Sequence, residues 1–187
     1  AGVLKKGEGR RTVAFFTPSD DVAFSSERIE LRPEISTSFF TGNVVVRQGT
    51  DILRAGEIEL AGDMGRMSGG GGVAVTLTET APREALARTI EIGGQEMVYR
   101  PDMRTLALAK KAYVQLPGAR LEAGAISAVF GRDGNAVESL AATIGVAVTK
   151  DRYVGRAEAA SYQAATRRMT LTGRPVLTDG KGGSARG

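Results

Sequence analysis

Two patterns of apolar positions take turns along the chain. The first reads apolar-x-small-x-x-apolar-x-apolar, at Phe24-x-Ser26-x-x-Ile29-x-Leu31 and Leu53-x-Ala55-x-x-Ile58-x-Leu60. It returns at Ile92-x-Gly94-x-x-Met97-x-Tyr99 and Leu121-x-Ala123-x-x-Ile126-x-Ala128, with a weaker copy at Gly155-x-Ala157-x-x-Ala160-x-Tyr162. On a helix, at about 100° per residue, these four positions would scatter around the axis and make no single face. On a strand, the three-residue step flips the face unless the chain bends or bulges there. A small residue beside that step suits such a bend, so the pattern predicts strand, bend, strand.

The second pattern alternates with period two. It runs Phe40-x-Gly42-x-Val44-x-Val46, Gly71-x-Val73-x-Val75 and Leu108-x-Lys110-x-Ala112-x-Val114. Two later copies are Ala142-x-Ile144-x-Val146-x-Val148 and Leu171-x-Gly173-x-Pro175-x-Leu177. Alternate residues of a strand share one face, here the apolar one. The small residues of the first pattern recur every 29 to 39 positions, a spacing typical of repeat architectures. Val137, Leu140, Ala141 and Ile144 have helical spacing but fall in the phase of the repeat and are assigned to a strand. Arg83-Glu84-Ala85-Leu86-Ala87 holds good helix formers and is expected to be a loop with room for one helical turn.

Composition agrees with many short strands and tight turns, since Gly numbers 25 and Pro 6. Cys and His are both absent, which excludes His-containing triads, Cys nucleophiles, His/Cys zinc sites and disulfides. No apolar run is long enough for a spanning helix. Ala1-Gly2-Val3-Leu4 leads straight into Lys5-Lys6, the start expected of a mature exported chain, a trimmed one or a cytosolic one. The net charge of +4 suits an anionic partner. The basic pairs Lys5-Lys6, Arg10-Arg11, Lys110-Lys111 and Arg167-Arg168 are dispersed, and no aromatic signature of base stacking accompanies them. Nucleic acid is therefore not expected as a partner. The glycines of Ser68-Gly69-Gly70-Gly71-Gly72 and Gly180-Lys181-Gly182-Gly183 lack phosphate-loop spacing. Of the carboxylate pairs, Asp20-Asp21 would point to opposite faces, while Glu57 and Glu59 share the face opposite the apolar one. Both pairs read as solvated surface.

Phe40-Thr41-Gly42-Asn43-Val44-Val45-Val46, followed by Leu53-Arg54-Ala55-Gly56-Glu57-Ile58-Glu59-Leu60, resembles the OstA-type domain of the LptA family of lipopolysaccharide transport proteins. The late segment Gly155-Arg156-Ala157-Glu158-Ala159-Ala160-Ser161-Tyr162, leading into Met169-Thr170-Leu171-Thr172-Gly173, resembles it too. Lys110 and Ile144 stand where that family usually carries Gly. The resemblance implies an all-β fold, a twisted, open, V-shaped β-jellyroll built from repeated strand pairs. Residues 22–187 would form this jellyroll, lacking its last strands, and residues 1–21 remain unassigned. The implied function is a periplasmic carrier, not an enzyme and without cofactor or metal. It would move lipopolysaccharide from the inner to the outer membrane along an apolar groove holding the lipid A acyl chains. Its implied partners are lipopolysaccharide, homologous jellyrolls of a transport bridge and further copies of itself, joined head to tail.

The candidate groove lining is Phe24, Ile29, Leu31, Phe40, Val44, Val46, Leu53, Ile58, Leu60, Val73 and Val75 in the first half of the chain. Ile92, Met97, Tyr99, Val114, Leu121, Ile126, Val146, Val148, Tyr162 and Leu171 continue it. Periodicity alone leaves open whether these residues fill a dry core or line a lipid slot. A structural, adhesin-like solenoid and a β-helix polysaccharide-active enzyme are the alternatives, the latter lacking any convergent Asp/Glu/Arg cluster. At the end of the chain, Ala185 and Gly187 are in phase with Leu53 and Ala55, like the opening of a sixth unit cut short or disordered. The last ordered strand is expected near Leu171–Leu177 as an exposed edge, with Pro175 limiting its pairing.

Overall fold

In the computed structural model, residues 2–4, 22–61, 66–79, 88–131, 137–181 and 183–187 are described. They form one antiparallel sheet of sixteen strands. The strands are β1 Gly2–Leu4, β2 Val22–Ser26, β3 Arg28–Arg32, β4 Thr37–Gln48, β5 Asp51–Ala61, β6 Arg66–Gly70, β7 Val73–Glu79 and β8 Arg88–Gly94. They continue as β9 Glu96–Arg100, β10 Thr105–Leu116, β11 Ala119–Phe130, β12 Val137–Lys150, β13 Tyr153–Gln163, β14 Arg168–Thr172, β15 Val176–Thr178 and β16 Ser184–Arg186. A single 3-10 turn, Pro33–Ile35, joins β3 to β4. The all-β expectation holds, and Val137–Lys150 is one strand despite its helical spacing. Arg83–Ala87, Asp20-Asp21 and the basic pairs at Lys5-Lys6 and Arg10-Arg11 lie outside the described residues.

The sheet is creased along a line that crosses every long strand. On β4 the pairing with β5 jumps from Thr41 to Val44, on β10 with β11 from Ala109 to Ala112, and on β12 with β13 from Thr143 to Val146. Each jump places two residues of one strand opposite one of its neighbour, which is a β-bulge. The skipped pairs are Gly42-Asn43, Lys110-Lys111 and Ile144-Gly145, all with positive φ. Their single partners, Gly56, Gly124 and Glu158, follow the small residues of the first sequence pattern. Glu27 and Gln95 occupy the same place between β2 and β3 and between β8 and β9, and their amides bond to Gly42 and to Ala109 and Lys110 across the crease.

Two arms result. Arm one holds β1, β2, β7, β8, β15, β16 and one half of each of the six strands of eleven residues or more; arm two holds β3, β6, β9, β14 and the other halves. Inward residues of both arms make one hydrophobic cluster, so the sheet is folded about its crease with the apolar face inside. Phe24 of arm one stacks on Phe40 of arm two with ring centroids 5.0 Å apart. Along an arm, inward residues line up across strands. Phe24, Val46, Leu53, Val75, Ile92, Val114, Leu121 and Val148 are successive cross-strand partners.

The bulges correct two positions of the period-two reading. Lys110 and Ile144 do not face inward: Lys110 pairs with Glu96 outside, and Ile144 is 71% exposed on the crease. Their φ values of 60° and 69° are the left-handed conformation that a Gly would adopt without strain. The chain end also differs from expectation. β15 is not an edge, because Ser184–Arg186 forms a further strand on it, and the Pro175 carbonyl accepts a bond from the Gly187 amide. The C-terminal edges among the described residues are β16 on arm one and β14 on arm two, and Ser184–Arg186 is an ordered strand rather than a disordered tail.

Candidate functional site

The interior changes character along the stack of strands. In the first half it is closed: Val44, Val46, Leu53, Met67 and Tyr99 have no solvent exposure, and Phe40, Ile58, Val73, Val75 and Met97 have 3% or less. These side chains belong to one buried hydrophobic cluster between the arms. In the second half the arms leave a cavity of about 410 Å³. Arm two supplies Leu106, Leu108, Ile126, Ala128, Phe130, Val137, Leu140, Tyr162 and Met169, and arm one supplies Leu77, Ile90, Ile92, Val114, Leu116, Ala119, Arg120, Leu121 and Val148.

The sequence explains why space opens here. Alanine occupies inward positions 112, 128, 142 and 160, where the matching positions of the first half carry Val44, Leu60, Phe40 and Ile58. Of these alanines, Ala128 lines the cavity. Phe130 marks the boundary with the closed half, its ring meeting Tyr99 edge-on at 6.4 Å.

Of the predicted lining, Ile92, Val114, Leu121, Ile126, Val148 and Tyr162 surround this cavity. Phe40, Val44, Val46, Leu53, Ile58, Val73, Val75, Met97 and Tyr99 are placed in the closed half, and Val146 is buried beside the crease. Phe24, Ile29, Leu60 and Leu171 are partly buried against the same cluster. Leu31 departs from an interior position. Its register with Ser38 keeps it on the inward face, but β3 is an edge strand, and Leu31 is 57% exposed. Leu177 pairs with Gly155 on the inward face and is exposed for a related reason, near the other end of the sheet. Leu77, Ile90, Leu106, Leu108, Phe130, Val137, Leu140 and Met169 line the cavity but were not among the predicted lining. Leu77, Ile90, Phe130 and Met169 lie one or two period-two steps from a residue that was, so extending the alternation outward from every unit would have found these four.

Arg120 is the one charged residue among those lining the cavity. It sits beside the β10–β11 turn and donates to Glu122 at 2.8 Å and to Gln115 at 3.2 Å. Its guanidinium also lies 4.7 Å from the centre of the Tyr113 ring. Tyr113 covers Gly93 on the neighbouring strand and donates its hydroxyl to Glu91. Partial burial raises the Tyr113 hydroxyl to about 12, with the bond to Glu91 and the charge of that carboxylate adding to the shift and Arg120 opposing it. These groups form a held polar cluster on the outer surface of arm one. Among the described residues no group of three or more His, Cys, Asp and Glu is placed to hold a metal. No helix among them is long and apolar enough to cross a membrane.

The sequence profile of the family described as LptA/(LptD N-terminal domain) LPS transport protein matches residues 24–187. The chain belongs to that family. Its match begins at Phe24, the first inward residue of the first repeat unit, and takes in every bulge of the crease. The fold has a counterpart of known structure in LptH from Pseudomonas aeruginosa, described as the LptA homologous periplasmic component of a conserved lipopolysaccharide transport device. The two are 20% identical, with a TM-score of 0.53 over 66% of this chain and 82% of LptH. That likeness supports the creased jellyroll as the architecture of this family member. No curated protein matches the chain.

Proposed function

We propose that this member of the lipopolysaccharide transport family is a carrier that shields acyl chains of lipopolysaccharide between its two arms. The observation that carries the reading is the cavity of about 410 Å³, lined on both arms by apolar side chains. A dry β-sandwich would fill such a space with larger residues, since an empty apolar cavity is destabilising. Each methylene withdrawn from water into it is worth about 0.8 kcal/mol, so an acyl chain would bind readily. Sugars and phosphates would stay outside, where Arg120 and the other surface cations meet solvent.

In this reading the protein works in the periplasm as one segment of a bridge, passing lipid from the inner towards the outer membrane. Among the described residues, β1 and β3 at one end and β16 and β14 at the other are the edges of the sheet, where further jellyrolls, whether homologues or copies of this chain, would add. No step in this function calls for catalysis or a cofactor. Purification from a Gram-negative host, followed by solvent extraction and mass spectrometry, tests it. Recovery of lipid A species is expected, and a lipid-free protein that also fails to take up added lipopolysaccharide would refute it.

A further inference from the structure

We propose that Met169 is a modification site, where oxygen transfer from a peroxide to the thioether weakens the hold of the cavity on an apolar ligand. The inference rests on the reading of the cavity as a lipid site and adds a reversible chemical control on it. The chain has no cysteine, so methionine is its only sulfur-bearing residue. Among the described residues, Met67 and Met97 lie in the closed half with 0% and 1% exposure, out of reach of a dissolved oxidant. Met103 is 55% exposed, but it sits in the turn between β9 and β10 and is not part of the cavity wall. Its sulfur lies 3.9 Å from an Arg100 guanidinium nitrogen. Met169 alone of these four is both accessible, at 40%, and in the cavity wall.

The fold accounts for this combination. Met169 pairs with Tyr162, and both side chains line the cavity from arm two. Its strand β14 has a neighbour on one side only, β13, so a residue on the inward face keeps access to solvent from the free side. In the reaction a sulfur lone pair takes one oxygen of hydrogen peroxide. The O–O bond breaks, and the other oxygen leaves as water with both protons. The sulfur is oxidised by two electrons and the peroxide is reduced. A flexible apolar side chain becomes a polar one, and methionine sulfoxide reductases reverse the change. A sulfoxide in the cavity wall would lose its hydrogen-bonded water whenever an apolar chain is seated against it, which opposes binding.

Treatment of the intact protein with hydrogen peroxide, followed by peptide mass spectrometry and by capture on immobilised lipopolysaccharide, tests the proposal. Sulfoxides are expected at Met169 and Met103 while Met67 and Met97 stay reduced. Capture is expected to fall about ten-fold and to recover after treatment with methionine sulfoxide reductases. Met103→Leu should lose capture on oxidation as the parent does, whereas Met169→Leu should keep it. Met169→Gln, polar at the same place, should show weakened capture without peroxide, with circular dichroism confirming the fold. Resistance of Met169 under conditions that oxidise Met103 would overturn the proposal. Undiminished capture by protein carrying the Met169 sulfoxide, or an equal loss in Met169→Leu, would overturn it too, while leaving the carrier reading intact. A parent protein that captures no lipopolysaccharide before oxidation would end both.

Discussion

Gly124 and Ile144 meet across the crease so closely that a Cβ on Gly124 would lie 2.7 Å from the Ile144 Cβ. Ile144 itself holds a φ of 69°, a conformation that is costly for a β-branched residue. The pair thus joins a strained residue to a neighbour that has to be small. Gly124→Ala is expected to lower stability by about 1–3 kcal/mol through this overlap. Ile144→Gly is expected to raise stability by up to about 1 kcal/mol, because it relieves strain at a side chain that is mostly in solvent. In the Ile144→Gly background the cost of Gly124→Ala should shrink, since the clashing side chain is gone. Urea unfolding of the two single variants and the double variant measures this coupling as a shift in midpoint at unchanged slope.

The closed half of the interior predicts a sharp contrast between two leucine-sized or larger side chains on neighbouring strands. Phe40 is 2% exposed and stacked on Phe24, so Phe40→Ala is expected to cost about 3–5 kcal/mol. Leu31, 57% exposed at the edge, should cost less than about 0.5 kcal/mol when changed to Ala. Chemical denaturation of both variants checks the pair, and a similar loss from each would show that the edge is covered in solution.

Much of the crease was legible in the sequence. The three-residue step in each repeat unit marks Glu27, Gly56, Gln95, Gly124 and Glu158, and each of these faces a bulge or a break in the neighbouring strand. Alternation could not reveal the bulges themselves. Lys110-Lys111 and Ile144-Gly145 each occupy two positions on the outside of the bend, and two residues leave the parity of inward positions unchanged. Leu108, Ala112 and Val114 therefore stay in phase with Lys110, although Lys110 points away from them. The face of a residue could be read from its period, but its cover could not. Leu31 has the right face and lacks neighbours, whereas Val44 has the same periodic signal and is sealed. The position of the cavity depends on how side chains of β7, β8, β10, β11, β12, β13 and β14 come together, which no local pattern encodes.

Tyr113 provides a pH signature. Its hydroxyl ionises near 12 in the folded protein against an ordinary value of 10.0. The folded state holds this proton more tightly than the unfolded chain does. The associated stabilisation is thus complete below about pH 10 and is lost as pH rises towards 12. Absorbance at 295 nm should show a late-titrating tyrosine that is absent from Tyr113→Phe. A titration unchanged by that substitution would place the Glu91 contact elsewhere in solution.

Charge placed in the cavity should weaken lipid capture where charge removed from the outside does not. Val148 is half-buried in the cavity wall, and Val148→Asp would set an unpaired carboxylate against the acyl chains at a cost of several kcal/mol. Capture of lipopolysaccharide by this variant is expected to fall at least ten-fold. Glu57 belongs to the outer face, and Glu57→Ala should capture lipid as the parent does. Pull-down on immobilised lipopolysaccharide compares the three proteins, with circular dichroism verifying that each is folded.

The most direct test of an acyl chain between the arms is site-specific photo-crosslinking in cells that make lipopolysaccharide. A photoreactive amino acid at Leu140, inside the cavity, is compared with one at Glu57, on the outer face of the same sheet. A lipopolysaccharide adduct from position 140 and none from position 57 is the result expected of a carrier. Adducts of equal yield from both positions, or none from position 140 in a folded protein, would contradict it.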